Sequence, residues 1–151
     1  MQTATIKWIG EQKFLTTSPS GHSVPFDSDR QSNTATGPME MLLMALGACT
    51  ATDIVIILEK KRQKIVQLEV FCSGERAAES PKVWTRLDVR FRISGFDETG
   101  ATAAQLSTTK PIDDSAMRQA MKLTAEKYCS VAAMLGKTAA FSWHYEIVPA
   151  V

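Results

Sequence analysis

The side chains best suited to chemistry in this 151-residue chain are three cysteines, at positions 49, 72 and 129. A cysteine reacts as its thiolate, so its surroundings decide whether it is a working group or core filler. Cys49 follows small residues in an apolar segment, and small neighbours let a substrate or a second backbone approach the sulfur. A buried core cysteine is the competing interpretation of the same spacing.

Cys129 lies where a helical pattern ends at Tyr128 and Ser130 offers a good N-cap for a helix from Val131 onward. A thiol just before a helix N-terminus feels the positive end of the helix dipole, which lowers its pKa. We therefore expect Cys129 to form a thiolate readily.

Cys72 has a different setting, on one face of an alternating strand with Val66, Leu68 and Val70. A small buried hydrophobe is the expected role of such a cysteine. We predict that Cys72 is inert.

A thiol that reduces a peroxide also needs a cation to stabilise thiolate and leaving oxygen, and a carboxylate to hold that cation. Arg30, in a polar loop, and Glu40, near a helix start, are available for these roles. The alternatives are a solvated loop charge for Arg30 and a first-turn acid that complements the helix N-terminus for Glu40.

Other chemistries lack their motifs. His22 and His144 are isolated, there is no Cys-x-x-Cys pair, and neither a glycine-rich phosphate loop nor a nucleophile elbow occurs. We expect no cofactor and no metal, and a thiol-based hydrolase would lack a histidine base.

The elements that must position these residues begin with strands. Thr3 to Ile9 and Gln12 to Thr17 alternate apolar and polar residues around Gly10-Glu11, which predicts a β-hairpin. A short strand from Ser23 to Phe26 follows, and the polar stretch Asp27 to Thr36 predicts a loop.

Met41 to Leu58 is the most unusual segment, with eighteen residues and one charge, Asp53. Eighteen apolar residues can indicate a transmembrane helix. The small and polar residues inside the segment favour a buried central helix of a globular protein instead. One chain of this size covers such a helix poorly, so we expect a homodimer.

The rest of the chain alternates strands, loops and helices. The predicted strands are 65–73, 84–94 and 141–148, the loop is 74–82, the irregular or weakly helical stretch is 95–110, and helices follow Pro111 and run over 131–135. Strands grouped apart from helices predict an α+β fold with a mainly antiparallel sheet, in a single domain over residues 1–151.

Composition places the chain among globular proteins, with 44% apolar and 22% charged residues. A net charge of +1 gives no reason to expect nucleic acid or an anionic membrane surface as partner. The first fifteen residues lack the order of a signal peptide, and three scattered cysteines do not form a secreted disulfide framework. We expect a cytoplasmic protein.

Two segments resemble a known family. The run from Gly37 to Cys49 is similar to the Pro-x-Glu-x-Leu-x-x-Ala-x-Gly-x-Cys stretch of the OsmC/Ohr proteins, and Glu126 to Val131 resembles their second-cysteine segment. The YhfA-like branch is the most similar. In the peroxidase branches the arginine-holding glutamate directly follows the proline, whereas Met39 stands there in this chain and Glu40 comes one residue later.

The resemblance implies an intertwined homodimer with long central helices wrapped by sheet. It also implies reduction of organic hydroperoxides, with Cys49 attacking, Cys129 resolving the sulfenic acid to a disulfide, and an external dithiol restoring both thiols. Arg30 and Glu40 would form the thiolate clamp. The alternative is a stress protein of the same fold that binds a small apolar ligand and has lost that clamp.

Overall fold

The computed structural model describes residues 1–99 and 110–150. Its contacts divide the chain into two compact units, Met1–Met44 and Ala45–Val151. Each unit is built around its own sheet. The predicted α+β class with mainly antiparallel pairing is confirmed.

The smaller unit holds a three-stranded antiparallel sheet of β1 (Thr5–Gly10), β2 (Lys13–Thr17) and β3 (Ser23–Asp27). The predicted hairpin is present, and its tight turn is accommodated by positive φ angles of 116° at Gly10 and 50° at Glu11. The polar loop after β3 is also confirmed.

Asp27 organises that loop. Its carboxylate accepts hydrogen bonds from the Asp29 amide at 2.9 Å, the Ser32 hydroxyl at 2.5 Å, and the Thr34 amide and hydroxyl at 3.0 and 2.6 Å. Asp27 is 4% exposed, so these bonds replace the water that it loses. They hold the pKa of the Asp27 carboxyl well below its usual range, with the Ser32 bond the largest cause.

Helix α1 runs from Pro38 to Lys60, longer at both ends than the predicted 41–58. Four residues spaced four apart are fully buried, namely Leu46, Thr50, Ile54 and Leu58. Other apolar side chains of the helix stay exposed within one chain, among them Leu42, Met44 and Ile56 at 37%, 55% and 44%. By length and composition alone, α1 also passes for a membrane-spanning helix, with 28% of its most apolar window buried.

The larger unit contains the sheet that packs the main core. Strands β4 (Gln63–Arg76) and β5 (Trp84–Asp97) pair antiparallel. The inward residues of β5 are as predicted, with Leu87, Val89, Phe91 and Ile93 at most 2% exposed. Each such side chain contributes roughly 1.5–3 kcal/mol on burial.

On the other side of β5 lie two further strands. The short β6 (Lys110–Pro111) pairs antiparallel, and β7 (Ala140–Ile147) pairs parallel because the helices between them form a crossover.

Two of the predictions for this sheet need correction. Val66 is 51% exposed, because a register shift between Ile65 and Gln67 removes it from the inward face. The stretch expected to be irregular from Gly95 begins as β5, and its residues 100–109 lie outside the described ranges.

Helix α2 covers Asp114–Leu123 and α3 covers Ser130–Leu135, with a π-helical segment, Thr124–Tyr128, between them. The predicted start of α2 is confirmed, since the side chain of Asp113 caps it by accepting from the Ala116 amide at 2.9 Å. Gly136 ends α3 as expected.

Candidate functional site

Cys49 and Asp53 lie one helical turn apart on α1, both within the larger unit and both half-buried. Residues at i and i+4 share a face of a helix, so the thiol and the carboxylate are neighbours. Asp53 is the one charged residue between Met41 and Leu58, and its Oδ2 atom is inaccessible to solvent without a hydrogen-bond partner among the described residues.

Cys129 is positioned by the break between the π-helical segment and α3. Its amide closes the π turn by donating to the Thr124 carbonyl at 3.1 Å. The backbone is then extended at Cys129, with φ −72° and ψ 101°, and its Sγ accepts from the Ala132 amide at 3.3 Å. Cys129 itself, and not Ser130 as predicted, is therefore the N-cap of α3.

These two elements bring three side chains together. The Sγ atoms of Cys49 and Cys129 and a carboxylate oxygen of Asp53 all lie within 4.8 Å of one another. All three cysteines of the chain are free thiols. Cys129 is only 3% exposed, whereas Cys49 is half-buried. We call this group the thiol cluster.

The surroundings of Asp53 and Cys129 disfavour their charged forms. Burial raises the pKa of Asp53 above its usual range. Burial is also the main cause that raises the pKa of Cys129 to about 12, with further contributions from Cys49 and from the charge of Asp53. The Ala132 amide opposes these causes. The expectation that the helix terminus makes Cys129 acidic is therefore wrong, because desolvation outweighs one backbone hydrogen bond.

Cys72 lies on β4, is half-buried and is not part of the thiol cluster. A Cβ atom placed on Gly47 of α1 would stand 3.4 Å from the Cys72 Sγ, which is van der Waals contact, so Cys72 faces α1 at Gly47. Burial, aided by the charge of Asp88, raises the pKa of Cys72 to about 11. This environment supports the prediction of an inert cysteine.

The other two predicted site residues belong to the smaller unit. Arg30 is exposed in the loop after β3. Glu40 stands in the first turn of α1, where its carboxylate accepts a hydrogen bond from the Gly37 amide at 2.8 Å. That bond is the one expected of an acid that caps a helix N-terminus.

Asp53 is the site residue that the sequence analysis missed. Two signals were available: it is the one charge in the apolar segment from Met41 to Leu58, and it follows Cys49 by four residues. A lone carboxylate in such a segment is buried or half-buried, and its burial costs free energy unless it is paired or hydrogen-bonded. A function is one reason to retain it despite that cost.

The fold and the site together define a small α+β protein with a paired-thiol centre between a long helix and a helix N-terminus. Residues 31–144 match the family described as OsmC-like protein. The chain is also 40% identical to Protein YhfA of Escherichia coli K12, over 97% of this chain and 98% of that protein. The chain therefore belongs to the OsmC-like protein family.

Solved structures share the fold at lower identity. An OsmC like protein from Mycoplasma pneumoniae superposes with a TM-score of 0.77 at 12% identity, covering 98% of this chain and 97% of that one. An organic hydroperoxide resistance protein from Elizabethkingia anophelis superposes with a TM-score of 0.61 at 10% identity, covering 98% and 96%. These two structures support the fold of the chain.

Proposed function

We propose that the protein is a thiol-dependent peroxidase that reduces organic hydroperoxides through Cys49 and Cys129. The observation that carries the proposal is the approach of the two sulfurs to within 4.8 Å, with Cys49 the more accessible of the two. A relative of the same fold is named for organic hydroperoxide resistance.

The greater exposure of Cys49 supports the following order of events. The Cys49 thiolate attacks the peroxide, breaks the O–O bond, and releases an alcohol once a proton reaches the leaving oxygen, which leaves Cys49 as sulfenic acid. The Cys129 sulfur then attacks the Cys49 sulfur, and water leaves as the disulfide forms. An external dithiol restores both thiols by exchange and becomes a disulfide itself.

Closing the disulfide requires movement at the thiol cluster. A disulfide bond is about 2.05 Å long, so sulfurs separated by up to 4.8 Å must come closer. Cys129 is where we expect the chain to yield, because its extended backbone lies at the junction of a π turn and a short helix and not inside either one.

Arg30 and Glu40 complete the proposal as the pair that stabilises thiolate and leaving oxygen. Arg30→Ala should then slow oxidation of Cys49 by about tenfold or more, since a cation aimed at developing charge contributes at that level. Arg30→Lys should retain part of the rate. An unchanged rate in Arg30→Ala would assign Arg30 to the solvated loop and Glu40 to helix capping alone.

We further propose a homodimer as the working form. Large apolar side chains remain exposed on α1 and on β1, including Ile6, Trp8 and Ile9 at 61%, 65% and 54%. Obligate dimer interfaces commonly bury more than about 2,000 Å² of such surface. Light scattering should give twice the mass of 16.6 kDa, and a stable monomer at micromolar concentration would contradict the dimer.

The test of activity is stopped-flow oxidation of the reduced protein by cumene hydroperoxide and by hydrogen peroxide, side by side. We expect the organic peroxide to react faster. Cys49→Ser should abolish turnover, and Cys129→Ser should stop after one oxidation with a dimedone adduct on Cys49. Cys72→Ser is the matched control and should turn over normally.

Peptide mass mapping of the mildly oxidised protein should identify the Cys49–Cys129 link. If the oxidised protein carries neither this link nor a dimedone adduct on Cys49, the peroxidase proposal fails. Binding of a small apolar ligand by the same fold would then be the function to pursue.

A further inference from the structure

The thiol cluster combines three side chains that are all ligands of transition metals. Cys49 and Asp53 come from one face of α1, and Cys129 comes from the N-cap of α3. Their ligand atoms lie within 4.8 Å of one another. In a tetrahedral zinc site with bonds of about 2.0–2.3 Å, neighbouring ligand atoms are about 3.5–3.8 Å apart. Side-chain movements of about an ångström would bring the three atoms to that spacing.

The carboxylate of the thiol cluster has no cationic partner among the described residues. Within residues 1–99 and 110–150, Asp53 takes part in no ion pair with a lysine, arginine or histidine. The Cys129 Sγ accepts a hydrogen bond from the Ala132 amide at 3.3 Å, which is a neutral donor and supplies no full positive charge. A group of three acids that is partly buried disfavours its own charged form unless a cation balances the negative charge.

A second, independent observation points to a ligand. The Oδ2 atom of Asp53 is shielded from solvent and has no hydrogen-bond partner among the described residues. Buried carboxylate oxygens are nearly always hydrogen-bonded or bound to a cation. Asp53 lies beside two sulfurs, and a thiol is only a weak hydrogen-bond donor.

We propose that Cys49, Asp53 and Cys129 bind one zinc-class divalent cation through two thiolates and one carboxylate. Thiolate ligands select zinc and its chemical relatives over magnesium and calcium, which require oxygen donors. Binding transfers the protons of the two thiols to solvent as the two metal–sulfur bonds form. Three protein ligands leave the fourth position to water or a small solute.

Metal binding at these residues would oppose disulfide formation, since both sulfurs would be held as ligands. The binding itself does not depend on the peroxidase, and only this regulatory consequence rests on the proposed function. The cation would then act as a reversible inhibitor of the thiol pair.

Cobalt(II) is the probe that tests the site, because thiolate ligation gives it a charge-transfer band in the near ultraviolet. Reduced full-length protein should bind one Co²⁺ per chain with a band whose intensity corresponds to two thiolates. Zn²⁺ should displace the cobalt and abolish the band. Calorimetry of Zn²⁺ binding in buffers of different ionisation enthalpy should report release of about two protons per metal.

The variants assign the ligands. Cys49→Ser and Cys129→Ser should each remove half of the charge-transfer intensity. Asp53→Asn should keep the intensity and weaken affinity by more than about a hundredfold, above the 10- to 100-fold that loss of an outer-shell partner costs. Cys72→Ser should behave as the parent protein, since its sulfur lies outside the thiol cluster.

Several results would overturn the metal site: no thiolate band with one equivalent of Co²⁺, a band that survives loss of both Cys49 and Cys129, or a band that disappears in Cys72→Ser. The peroxidase is judged separately, by stopped-flow on chelator-treated protein. A cobalt band without peroxide oxidation would support the metal site and contradict the peroxidase. Peroxide oxidation without a cobalt band would support the peroxidase and contradict the metal site.

Discussion

Two aspartates, one in each unit of the chain, differ in the hydrogen bonding of their carboxylates and in the direction of their pKa shifts. Asp27 accepts four hydrogen bonds from its loop, and its pKa lies well below the usual range. Asp53 has a buried oxygen without a partner among the described residues, and burial raises its pKa. A fully bonded carboxylate stabilises the fold, whereas an unpaired one beside two thiols is kept for what it can bind or protonate.

The largest effect is expected from Asp27→Asn. The amide cannot accept all the bonds that the carboxylate accepts, so the loop from Ser28 to Thr36 should open more often. Hydrogen exchange should show the Thr34 amide exchanging faster by about tenfold or more, as loss of a charged acceptor implies. Asp29→Asn is the control, since Asp29 accepts one backbone amide, that of Gln31, and should cause a smaller change.

The contributions of the two aspartates to the free energy of unfolding should also depend on pH in opposite directions. Asp27 has a lowered pKa in the folded state, so its contribution to stability is fully present above the unfolded-chain pKa of 3.8 and is lost as pH falls from there toward the folded-state pKa. The difference in unfolding free energy between the parent protein and Asp27→Asn should therefore shrink in acid. Denaturant unfolding from pH 7 to pH 3 measures it.

Asp53 has a raised pKa in the folded state, so the folded protein holds this proton more tightly than the unfolded chain. Its favourable contribution is present below 3.8 and is lost as pH rises through its folded-state pKa. Asp53→Asn should thus increase the free energy of unfolding at pH 7 and change it little at pH 3. Lower stability of Asp53→Asn at pH 7 would mean that Oδ2 has a stabilising partner.

Cysteine labelling extends the comparison to the thiols. The pKa of Cys72 is raised to about 11, so almost none of it is thiolate at pH 7. Brief treatment of the folded protein with iodoacetamide should leave Cys72 unlabelled while Cys49 reacts. Preferential early labelling of Cys72 would reverse the roles assigned to these two cysteines.

Much of the fold was predictable because it rests on local patterns. The alternation in β5 determined which residues face the core, and Asp113 beside Pro111 marked the start of α2. The departures come from features that periodicity does not encode. The register shift near Val66 and the π turn before Cys129 depend on pairing and packing between segments distant in sequence.

The site was predictable only in part for the same reason. Both cysteines were identified, yet the pKa of Cys129 was predicted in the wrong direction because burial is a tertiary property. Asp53 was noticed as the one charge between Met41 and Leu58 without being assigned to the site. Its proximity to Cys129 depends on how the chain returns to α1 after more than seventy residues.

The smallest expected effect is on the pKa values of Cys129 and Cys72. It separates the contribution of a neighbouring charge to each pKa from that of burial. Asp53 contributes to the raised pKa of Cys129, as Asp88 does to that of Cys72, and in both cases burial is the larger cause. In chelator-treated protein, Asp53→Asn should lower the pKa of Cys129 from about 12 and leave Cys72 unchanged. Asp88→Asn should lower the pKa of Cys72 from about 11 and leave the pKa of Cys129 unchanged.

Both pKa values can be measured from the alkylation rates of the separate cysteine peptides, followed by mass spectrometry as pH rises. Because desolvation remains in each variant, neither pKa should return to that of a free thiol. A full return in Asp53→Asn would mean that the charge of Asp53, and not burial, keeps Cys129 protonated.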